Sequence, residues 1–294
     1  MPRAWSVCPV CGGSDHLLLW SHEPARYIEG RVVRCNRCKT MFKIPSALDK
    51  PIGEYYTTRA SAEAHELDDE EYATAEFDVI LKHLLAGIGP RRGRLLDLGC
   101  GAGQFMQMAQ SAGFEVAGIE INETVAARAG QRTGATVFTT NLESEGIPGR
   151  DYDVVAMLDV IEHVQDPLAL LRSVRESLAD DGRLVVFTPN HDSVIARVAR
   201  KLDALSLGRI RGPVDQIFES MHVTFFTVAT LRKALEAARF KVRTVDLIRY
   251  APERRSEASG LTATALRALE TVSPYLPGGR FRILMVAEPA ASRD

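Results

Sequence analysis

Two pairs of cysteines near the start of the chain have the spacing of metal ligands. Cys8 and Cys11 form one C-x-x-C unit, Cys35 and Cys38 form a second, and 23 residues separate the two units. Each C-x-x-C turn directs two thiolates at one centre, and two such turns complete the tetrahedron of a zinc site. Because all four ligands are protein thiolates, no coordination position remains for a substrate. The spacing therefore predicts a structural Zn²⁺, with a redox pair or four unrelated thiols as the alternatives.

A second constellation is a glycine-rich loop between a short apolar run and a helical pattern. The segment LLDLGCGAGQ over residues 95–104 ends a predicted strand and leads into a predicted helix. Glycines let the backbone approach a ligand, and the first turn of the helix offers free N–H groups to its anionic parts. The G-x-G-x-G spacing differs from the G-x-G-x-x-G of nicotinamide sites, because position 104 is Gln.

An acidic residue follows the glycine loop at the distance expected of a ribose ligand. Glu120 lies 120 − 97 = 23 positions after Asp97, at the end of the next predicted strand. A carboxylate at that place can accept hydrogen bonds from both hydroxyls of a ribose. Strand, loop, helix, strand and terminal glutamate together predict a site for a nucleoside-containing cofactor.

The elements that position these residues alternate regularly from about residue 72 onwards. Helical patterns alternate with short apolar runs, which is typical of β-α-β units and a parallel sheet. The predicted strands cover residues 94–98, 115–121, 136–139, 152–158, 183–188, 241–248 and 280–287. Helices are predicted between them, the last over residues 261–272.

The charge pattern divides the chain into segments. Residues 1–50 hold eight Lys and Arg against four Asp and Glu, a balance of 8 − 4 = +4, whereas residues 51–71 hold seven acids against one Arg. We therefore predict a zinc-ribbon module at 1–50, an acidic linker at 51–71 and a cofactor-binding domain at 72–294.

An insertion at residues 190–222 interrupts the alternation of strands and helices. Apolar residues repeat there at helical spacing, with basic residues on the other face: Val194, Ile195, Val198, Leu202 and Leu205 against Arg197, Arg200 and Lys201. This pattern predicts an amphipathic lid helix packed on the core. A role at a membrane surface or toward a lipid substrate is the alternative.

Four motifs within about residues 70–290 resemble the class I S-adenosylmethionine-dependent methyltransferases: LDLGCGAGQF, GIEIN, DYDVVAMLDVIEHVQDP and DGRLVVFTPN. The resemblance implies a doubly wound, mostly parallel seven-stranded sheet, a Rossmann-like methyltransferase fold, preceded by the small zinc ribbon. It implies S-adenosylmethionine as the cofactor, its methionine part lying along the glycine loop. The residues that it assigns to the cofactor are Asp97, which holds the loop, Gly99, Gly101, Gly103, Glu120 at the ribose, Ile121, Asn141 and Leu142 at the adenine, and Asp159 beside the sulfonium.

The same resemblance implies four catalytic candidates. Glu162 and His163 lie in the EHV-x-DP element of the family, where His163 either forms hydrogen bonds at the start of a helix or serves as a base beside the methyl group. His222, which precedes an aromatic pair and a helix-capping threonine, is a second candidate base. Relatives often carry Glu where this chain has Met221, which weakens a base mechanism carried over from them. Tyr56 lies where tyrosines of relatives close over the cofactor or substrate.

Methyl transfer from S-adenosylmethionine to a small acceptor is the function that these features predict. A zinc ribbon joined to this core resembles enzymes of sugar, polysaccharide and natural-product pathways, which implies a sugar, nucleotide-sugar, glycolipid or natural product as acceptor. One alternative is an RNA base methyltransferase whose basic ribbon grips phosphate, but the net charge of 36 − 38 = −2 and the LDVIEH motif argue against nucleic acid. The other is a non-catalytic zinc-ribbon adaptor, against which the intact glycine loop and Glu120 argue.

Composition adds a prediction of where the protein resides. No stretch approaches the roughly 18–20 apolar residues that span a bilayer, and residues 1–10 lack the apolar core of a signal peptide. With 46% hydrophobic and 25% charged residues, the chain is expected to be a soluble cytoplasmic protein. The sequence assigns no oligomeric state.

Overall fold

The structure is a computed structural model that describes residues 6–22, 30–45, 70–88, 92–206, 209, 214, 217–218, 221–248 and 280–291. The chain divides into two compact units. The ribbon unit comprises residues 1–49, 188–231 and 246–283, and the sheet unit comprises residues 50–187, 232–245 and 284–294. Tyr56, nearly all of the acidic segment and the predicted helix at 261–272 lie outside the described residues.

Regular elements occupy most of the described chain, and their bounds are as follows. The strands are β1 His16–His22, β2 Gly30–Cys35, β3 Met41–Pro45, β4 Arg94–Leu98, β5 Glu115–Ile119, β6 Val137–Phe138, β7 Tyr152–Leu158, β8 Leu178–Pro189, β9 Thr224–Phe225, β10 Phe240–Ile248 and β11 Arg282–Pro289. The helices are α1 Glu70–Ile88, α2 Gln104–Ser111, α3 Glu123–Thr133, α4 Pro167–Ser177, α5 Val194–Leu205 and α6 Val228–Ala237. No helix among these is long and apolar enough to cross a membrane.

The sheet unit is built on a seven-stranded sheet with the strand order β10-β11-β8-β7-β4-β5-β6. Strand β4 pairs in parallel with β5 and β7, and β7 pairs in parallel with β8. The central strands are continuous apolar runs because both faces of a parallel sheet are covered. Leu95, Leu96, Val155 and Ala156 are accordingly fully buried. The predicted α/β fold with a mostly parallel seven-stranded sheet is confirmed.

Side-chain caps explain where three helices begin. Asn122 accepts a hydrogen bond from the backbone N–H of Val125 at the start of α3, and Asp166 accepts one from Ala169 at the start of α4. Short polar side chains at this position satisfy N–H groups that have no partner within the helix. Ser193 accepts a hydrogen bond from Ala196 at the start of α5, whereas Gly103 before α2 provides no side-chain cap. The chain therefore passes from β5 to α3 and from β7 to α4 through capped turns at the carboxyl edge of the sheet.

The ribbon unit contains a four-stranded sheet with the order β1-β2-β3-β9, in which neighbouring strands run antiparallel. Helix α5 packs on this sheet: Ile195, Ala196 and Ala199 share one buried cluster with Trp20 and Met41. The predicted buried face of the helix is partly wrong, since Leu202 is 40% and Leu205 is 84% exposed. The two alanines account for the difference, because their small side chains let the helix axis approach the large side chains of the sheet.

Candidate functional site

The glycine loop has a backbone that only glycine adopts without strain. The φ angles of Gly99, Gly101 and Gly103 are +66°, +53° and +82°, in the left-handed region. A Cβ at Gly99 would lie 2.7 Å from Val160 Cγ2, and one at Gly103 would lie 3.0 Å from Ala129 Cα. A Cβ at Gly101 would meet nothing within 4 Å. The chain's own packing therefore requires two of the glycines, whereas Gly101 borders open space.

Glu120 connects the glycine loop to the next helix. One of its carboxylate oxygens accepts a hydrogen bond from the backbone N–H of Gly101 at 3.1 Å, and the other accepts one from Asn122 at 2.9 Å. Burial raises the pKa of Glu120, while these N–H groups counteract the shift. Each carboxylate oxygen can accept more than one hydrogen bond, so the group retains capacity for the hydroxyls of a ligand.

Asp97 lies beneath the loop at 2% exposure. Burial, together with the charge of Glu120, raises the pKa of Asp97 to about 8. Two carboxyl groups are thus concentrated under one loop, and a cationic ligand would stabilise the ionised form of both. The sequence predicted that Asp97 holds the loop, and the structure adds that a loop N–H is bound by Glu120.

A cavity of about 200 Å³ opens beside the loop at the carboxyl edge of the sheet. It brings together six residues that the sequence assigned to the site and that come from four separate segments. These are Gly99, Glu120, Ile121, Asn141, Leu142 and Asp159, and His163 lines the same cavity. The predicted residues Asp97, Gly101 and Gly103 lie in the adjoining strand and loop.

Asp159 has a strained backbone at the mouth of this cavity. Its φ of +54° is left-handed, although the residue is not glycine, and its N–H donates to the carbonyl of Phe187 at 2.9 Å. Such a conformation costs free energy and persists where surrounding structure imposes it. The turn after strand β7 therefore holds the carboxylate of Asp159 at the edge of the cavity.

The Glu162–His163 pair lies in the turn that follows Asp159, not in a helix. The N–H of His163 donates to the carbonyl of Val160 at 3.0 Å. Because Asp166 caps the helix that follows, the predicted helix-start role of His163 is taken by another side chain. Glu162 is fully buried, while His163 is partly exposed at the cavity.

Glu143 lines the cavity as well, in the segment of residues 141–143 that the resemblance places at the adenine. Its carboxylate accepts hydrogen bonds from the backbone N–H groups of Gln165 at 2.6 Å and Asp166 at 3.3 Å. Asn141 in turn accepts one from the N–H of Glu143 at 2.9 Å. These bonds join the adenine-side segment to the turn after β7, a long-range link that carries no sequence pattern.

The fifth cysteine, Cys100, packs inside the loop. A Cβ at Gly118 would lie 2.6 Å from Cys100 Sγ, so strand β5 carries a glycine where this thiol requires space. Burial raises the pKa of the Cys100 thiol, which keeps it protonated and poorly nucleophilic. The prediction that Cys100 serves as a small packing residue agrees with this environment.

The four remaining cysteines converge in the ribbon unit. Cys8 Sγ lies 3.4 Å from Cys38 Sγ, Cys11 Sγ lies 3.5 Å from Cys35 Sγ, and all four sulfurs lie within 4.8 Å of one another. Zn–S bonds of about 2.3 Å in a tetrahedron place sulfurs about 3.8 Å apart, so the donor set fits Zn²⁺. The hydrogen bond between Cys8 and Cys38 lowers the pKa of the Cys38 thiol and raises that of the Cys8 thiol, so in the metal-free site the two share one proton.

His222 lies in the ribbon unit at 4% exposure, within a group of aromatic rings. Its ring centroid is 5.8 Å from that of His191 and 6.3 Å from that of Phe225. His191 is fully buried, and burial lowers the pKa of His191 to about 3. The sequence did not single out His191, which stands directly after the DGRLVVFTPN motif and outside it.

One further prediction concerns the helix that follows His222. Thr227 Oγ1 accepts a hydrogen bond from the backbone N–H of Thr230 at 3.2 Å, directly before α6. This confirms Thr227 as the predicted N-cap.

Comparison with known proteins is consistent with this arrangement. A family model described as "Methyltransferase domain" matches residues 65–245 of the chain. A ubiquinone biosynthesis O-methyltransferase of Cereibacter sphaeroides is 35% identical over 127 residues, which are 42% of this chain and 50% of the relative. The chain spans about half the length of this relative and of a second Cereibacter sphaeroides enzyme with the same name.

Two solved structures have a similar fold at low sequence identity. Magnesium protoporphyrin IX methyltransferase of Synechocystis PCC 6803, solved with bound SAH, is 16% identical with a TM-score of 0.55, covering 81% of this chain and 98% of that one. The 1,6-didemethyltoxoflavin-N1-methyltransferase of Burkholderia thailandensis is 15% identical with a TM-score of 0.56, covering 92% of this chain and 99% of that one. At such identities the likeness concerns the fold alone.

Proposed function

The chain belongs to the methyltransferase-domain family and is an S-adenosylmethionine-dependent methyltransferase, and from this premise we propose that it methylates an oxygen atom of a small molecule. The O-methyltransferase names of the curated relatives support the oxygen acceptor. The sugar, nucleotide-sugar and glycolipid acceptors expected from the ribbon find no support among these relatives.

The observation that carries the proposal is the Glu120 carboxylate beside a cavity whose lining comes from four segments of the sheet edge. When bound, S-adenosylmethionine supplies an electrophilic methyl group on a sulfonium, so positioning accounts for much of the rate enhancement. Glu120 would hold the ribose, and Ile121, Asn141 and Leu142 would enclose the adenine. The open space at Gly101 leaves room for the methionine part.

The nearby carboxyl groups suit a cation. Asp97 and Glu120 lie under the loop, and Asp159 lies at the cavity mouth. A sulfonium and an ammonium group carry positive charge, and carboxylates in a partly desolvated site stabilise such charge more strongly than water-exposed ones do. The same cavity offers no cluster of basic side chains for a polyanion among its lining residues.

A base is required where a hydroxyl acceptor must lose its proton. His222 is our first candidate, followed by His163, which lines the cavity. An unperturbed imidazole titrates near pH 6.5 and therefore exchanges protons in the physiological range. Glu162 and Tyr56 remain the other candidates, with Glu162 in the turn beside His163 and Tyr56 outside the described residues.

The zinc ribbon is proposed as a structural element. Its four thiols fit a closed coordination sphere, and a closed sphere binds no substrate. We also propose the division into a ribbon at 1–50, an acidic segment at 51–71 that closes over the cofactor, and a methyltransferase domain at 72–294 with the insertion at 190–222.

Methyl-group transfer to defined acceptors tests the proposal. The full chain is incubated with methyl-labelled S-adenosylmethionine and either small phenols or nucleotide-sugars, and the labelled product is identified by mass spectrometry. We expect label on a phenolic oxygen, and less of it with the Glu120→Gln variant at a cofactor concentration that does not saturate the wild type. Label on nucleotide-sugars alone would overturn the acceptor class, and label in RNA would support the base methyltransferase instead. A chain that shows no calorimetric binding of the cofactor would be an adaptor.

A further inference from the structure

Two arginines of the ribbon unit flank one methionine. Arg34 on β2 is the direct cross-strand partner of Met41 on β3, and directly opposite residues share one face of a sheet. Arg200 on α5 reaches the same methionine, with Nη1 3.3 Å from Met41 Sδ. Its guanidinium carbon lies 6.0 Å from the ring centre of Phe218. Sequence positions 34 and 200 are therefore brought to one place by the packing of α5 on the ribbon sheet.

Among the described residues, the cluster has one carboxylate partner, and it is largely exposed. The Nε atoms of Arg34 and Arg200 are buried, and the described residues provide no hydrogen-bond acceptor for either of them. The nearest carboxylate is that of Asp192, 3.9 Å from Arg200 and 4.0 Å from Arg197, with its side chain 57% exposed. Burial lowers the pKa of Arg200, the charge of Asp192 counteracts this shift, and the charges of Arg34 and Arg197 lower the pKa further.

The charges of this cluster do not balance within the described residues. Arg34, Arg197 and Arg200 contribute three positive charges and Asp192 one negative charge, which leaves 3 − 1 = +2. Half-buried N–H donors without acceptors cost free energy in the ligand-free protein. A ligand with acceptor oxygens and two negative charges would supply the missing hydrogen-bond acceptors and also balance the charge. A single carboxylate would leave one positive charge uncompensated.

We propose that Arg34 and Arg200 form a binding site for the dianionic phosphate group of a small molecule, with Arg197 at its rim. The planar guanidinium presents paired N–H donors that match phosphate oxygens in bidentate geometry. Met41 and Phe218 pack against the guanidinium of Arg200, and Met41 is also the cross-strand partner of Arg34. The site belongs to the ribbon unit alone, so it does not depend on the proposed acceptor of methyl transfer.

Titration calorimetry of the full, zinc-loaded chain tests this site. Inorganic phosphate and pyrophosphate are titrated separately, at a constant ionic strength set with chloride. We expect one binding event per chain, weakened about tenfold or more in Arg200→Gln and in Arg34→Gln, because one charge-assisted hydrogen-bonded pair is lost in each. Arg172→Gln, which removes an exposed arginine on α4, is the matched control and should change affinity less than about twofold.

Thermal unfolding separates a binding role from a structural one. In phosphate-free buffer, Arg200→Gln should leave the melting temperature unchanged or raise it, because it relieves repulsion between like charges. Phosphate should raise the melting temperature of the wild type and not that of the variant. Because Arg34 is adjacent to the proposed zinc ligand Cys35, the zinc content of Arg34→Gln is measured to detect any loss of metal. Arg200 is not adjacent to a zinc ligand, so the Arg200→Gln result does not depend on that control. The proposal is wrong if phosphate binds neither protein, binds both equally, or if Arg200→Gln destabilises the chain equally in both buffers.

Discussion

The backbone N–H of Gly101 donates a hydrogen bond to the carboxylate of Glu120 across 3.1 Å. This bond joins the loop after β4 to the end of β5, beside the backbone bond from the N–H of Cys100 to the carbonyl of Ile119 at 2.9 Å. The carboxylate expected to bind a ribose is thus oriented by the loop expected to bind the methionine part. One interaction therefore organises both halves of the proposed cofactor site before any ligand arrives, and its removal should affect affinity more than stability.

Replacement of Glu120 by alanine should weaken binding of S-adenosylmethionine by about 1.5–3 kcal/mol, the contribution of hydrogen bonds to a charged acceptor. Isothermal titration calorimetry measures the change. Glu115→Gln, at the exposed start of the same strand, serves as the control and should bind normally. Unchanged affinity in Glu120→Ala would remove the ribose assignment.

Two glycine variants should fail for different reasons. Gly101→Val should keep the fold with a lowered melting temperature, since a Cβ there meets nothing within 4 Å but the φ of +53° strains a valine, and its side chain should occupy the space of the methionine part and abolish binding. Gly99→Val should lower the melting temperature, because its Cβ would lie 2.7 Å from Val160 Cγ2. Circular dichroism and calorimetry on both variants distinguish loss of ligand from loss of fold. Normal cofactor binding by Gly101→Val would contradict the open-space interpretation.

The buried carboxyl of Asp97 should make stability depend on pH. Its pKa is raised to about 8 from an unfolded value near 3.9, so between these values the folded state holds a proton that the unfolded state has released. The free energy of unfolding should therefore fall as pH rises from about 4 to 8, by at most about 1.4 kcal/mol per pH unit from this group. Urea unfolding of the wild type and of Asp97→Asn across this pH range isolates the contribution of Asp97. If the free energies of unfolding of both proteins changed equally with pH, the raised pKa of Asp97 would be refuted.

Loss of one thiol should release the metal. Wild-type protein should contain about one Zn²⁺ per chain, and Cys35→Ser should lose it, because three thiolates cannot close the tetrahedron. Atomic absorption measures zinc, and calorimetry with S-adenosylmethionine should show that the sheet unit still binds. Cys100→Ser is the control, since this thiol packs against Gly118 in the loop. Full zinc retention by Cys35→Ser would disprove the ligand set.

The base is tested by turnover at several pH values. His222→Ala should lower turnover roughly 10²–10⁴-fold with nearly unchanged cofactor affinity, the usual contribution of a positioned general base. The wild-type rate should rise with pH through an imidazole titration, and that limb should disappear in the variant. His163→Ala is the comparison, expected to lower turnover less. An unchanged rate in His222→Ala would transfer the role to His163, Glu162 or Tyr56.

The amino-acid sequence by itself determined the features that depend on local spacing. The C-x-x-C pairs, the glycine loop and the apolar runs of the sheet are patterns within a few residues, and the structure places each as predicted. Glu120 is likewise found at the strand end, because strand length follows from the extent of the apolar run. Asn141, Leu142 and Asp159 reach one cavity for the same reason: successive parallel strands end at one edge.

Only the tertiary structure decided the contacts between distant segments. The sequence pattern placed Leu202 and Leu205 on the buried face of α5, yet Ala196 and Ala199 lie there beside Ile195, since the helix packs on a sheet of large side chains. The bonds of Glu143 to residues 165 and 166 also depend on how faces meet in space. So does the junction of Arg34 with Arg200. The periodicity of a sequence shows which residues of a helix or strand are apolar. The element against which those residues pack depends on the shape and volume of surfaces that lie far apart along the chain.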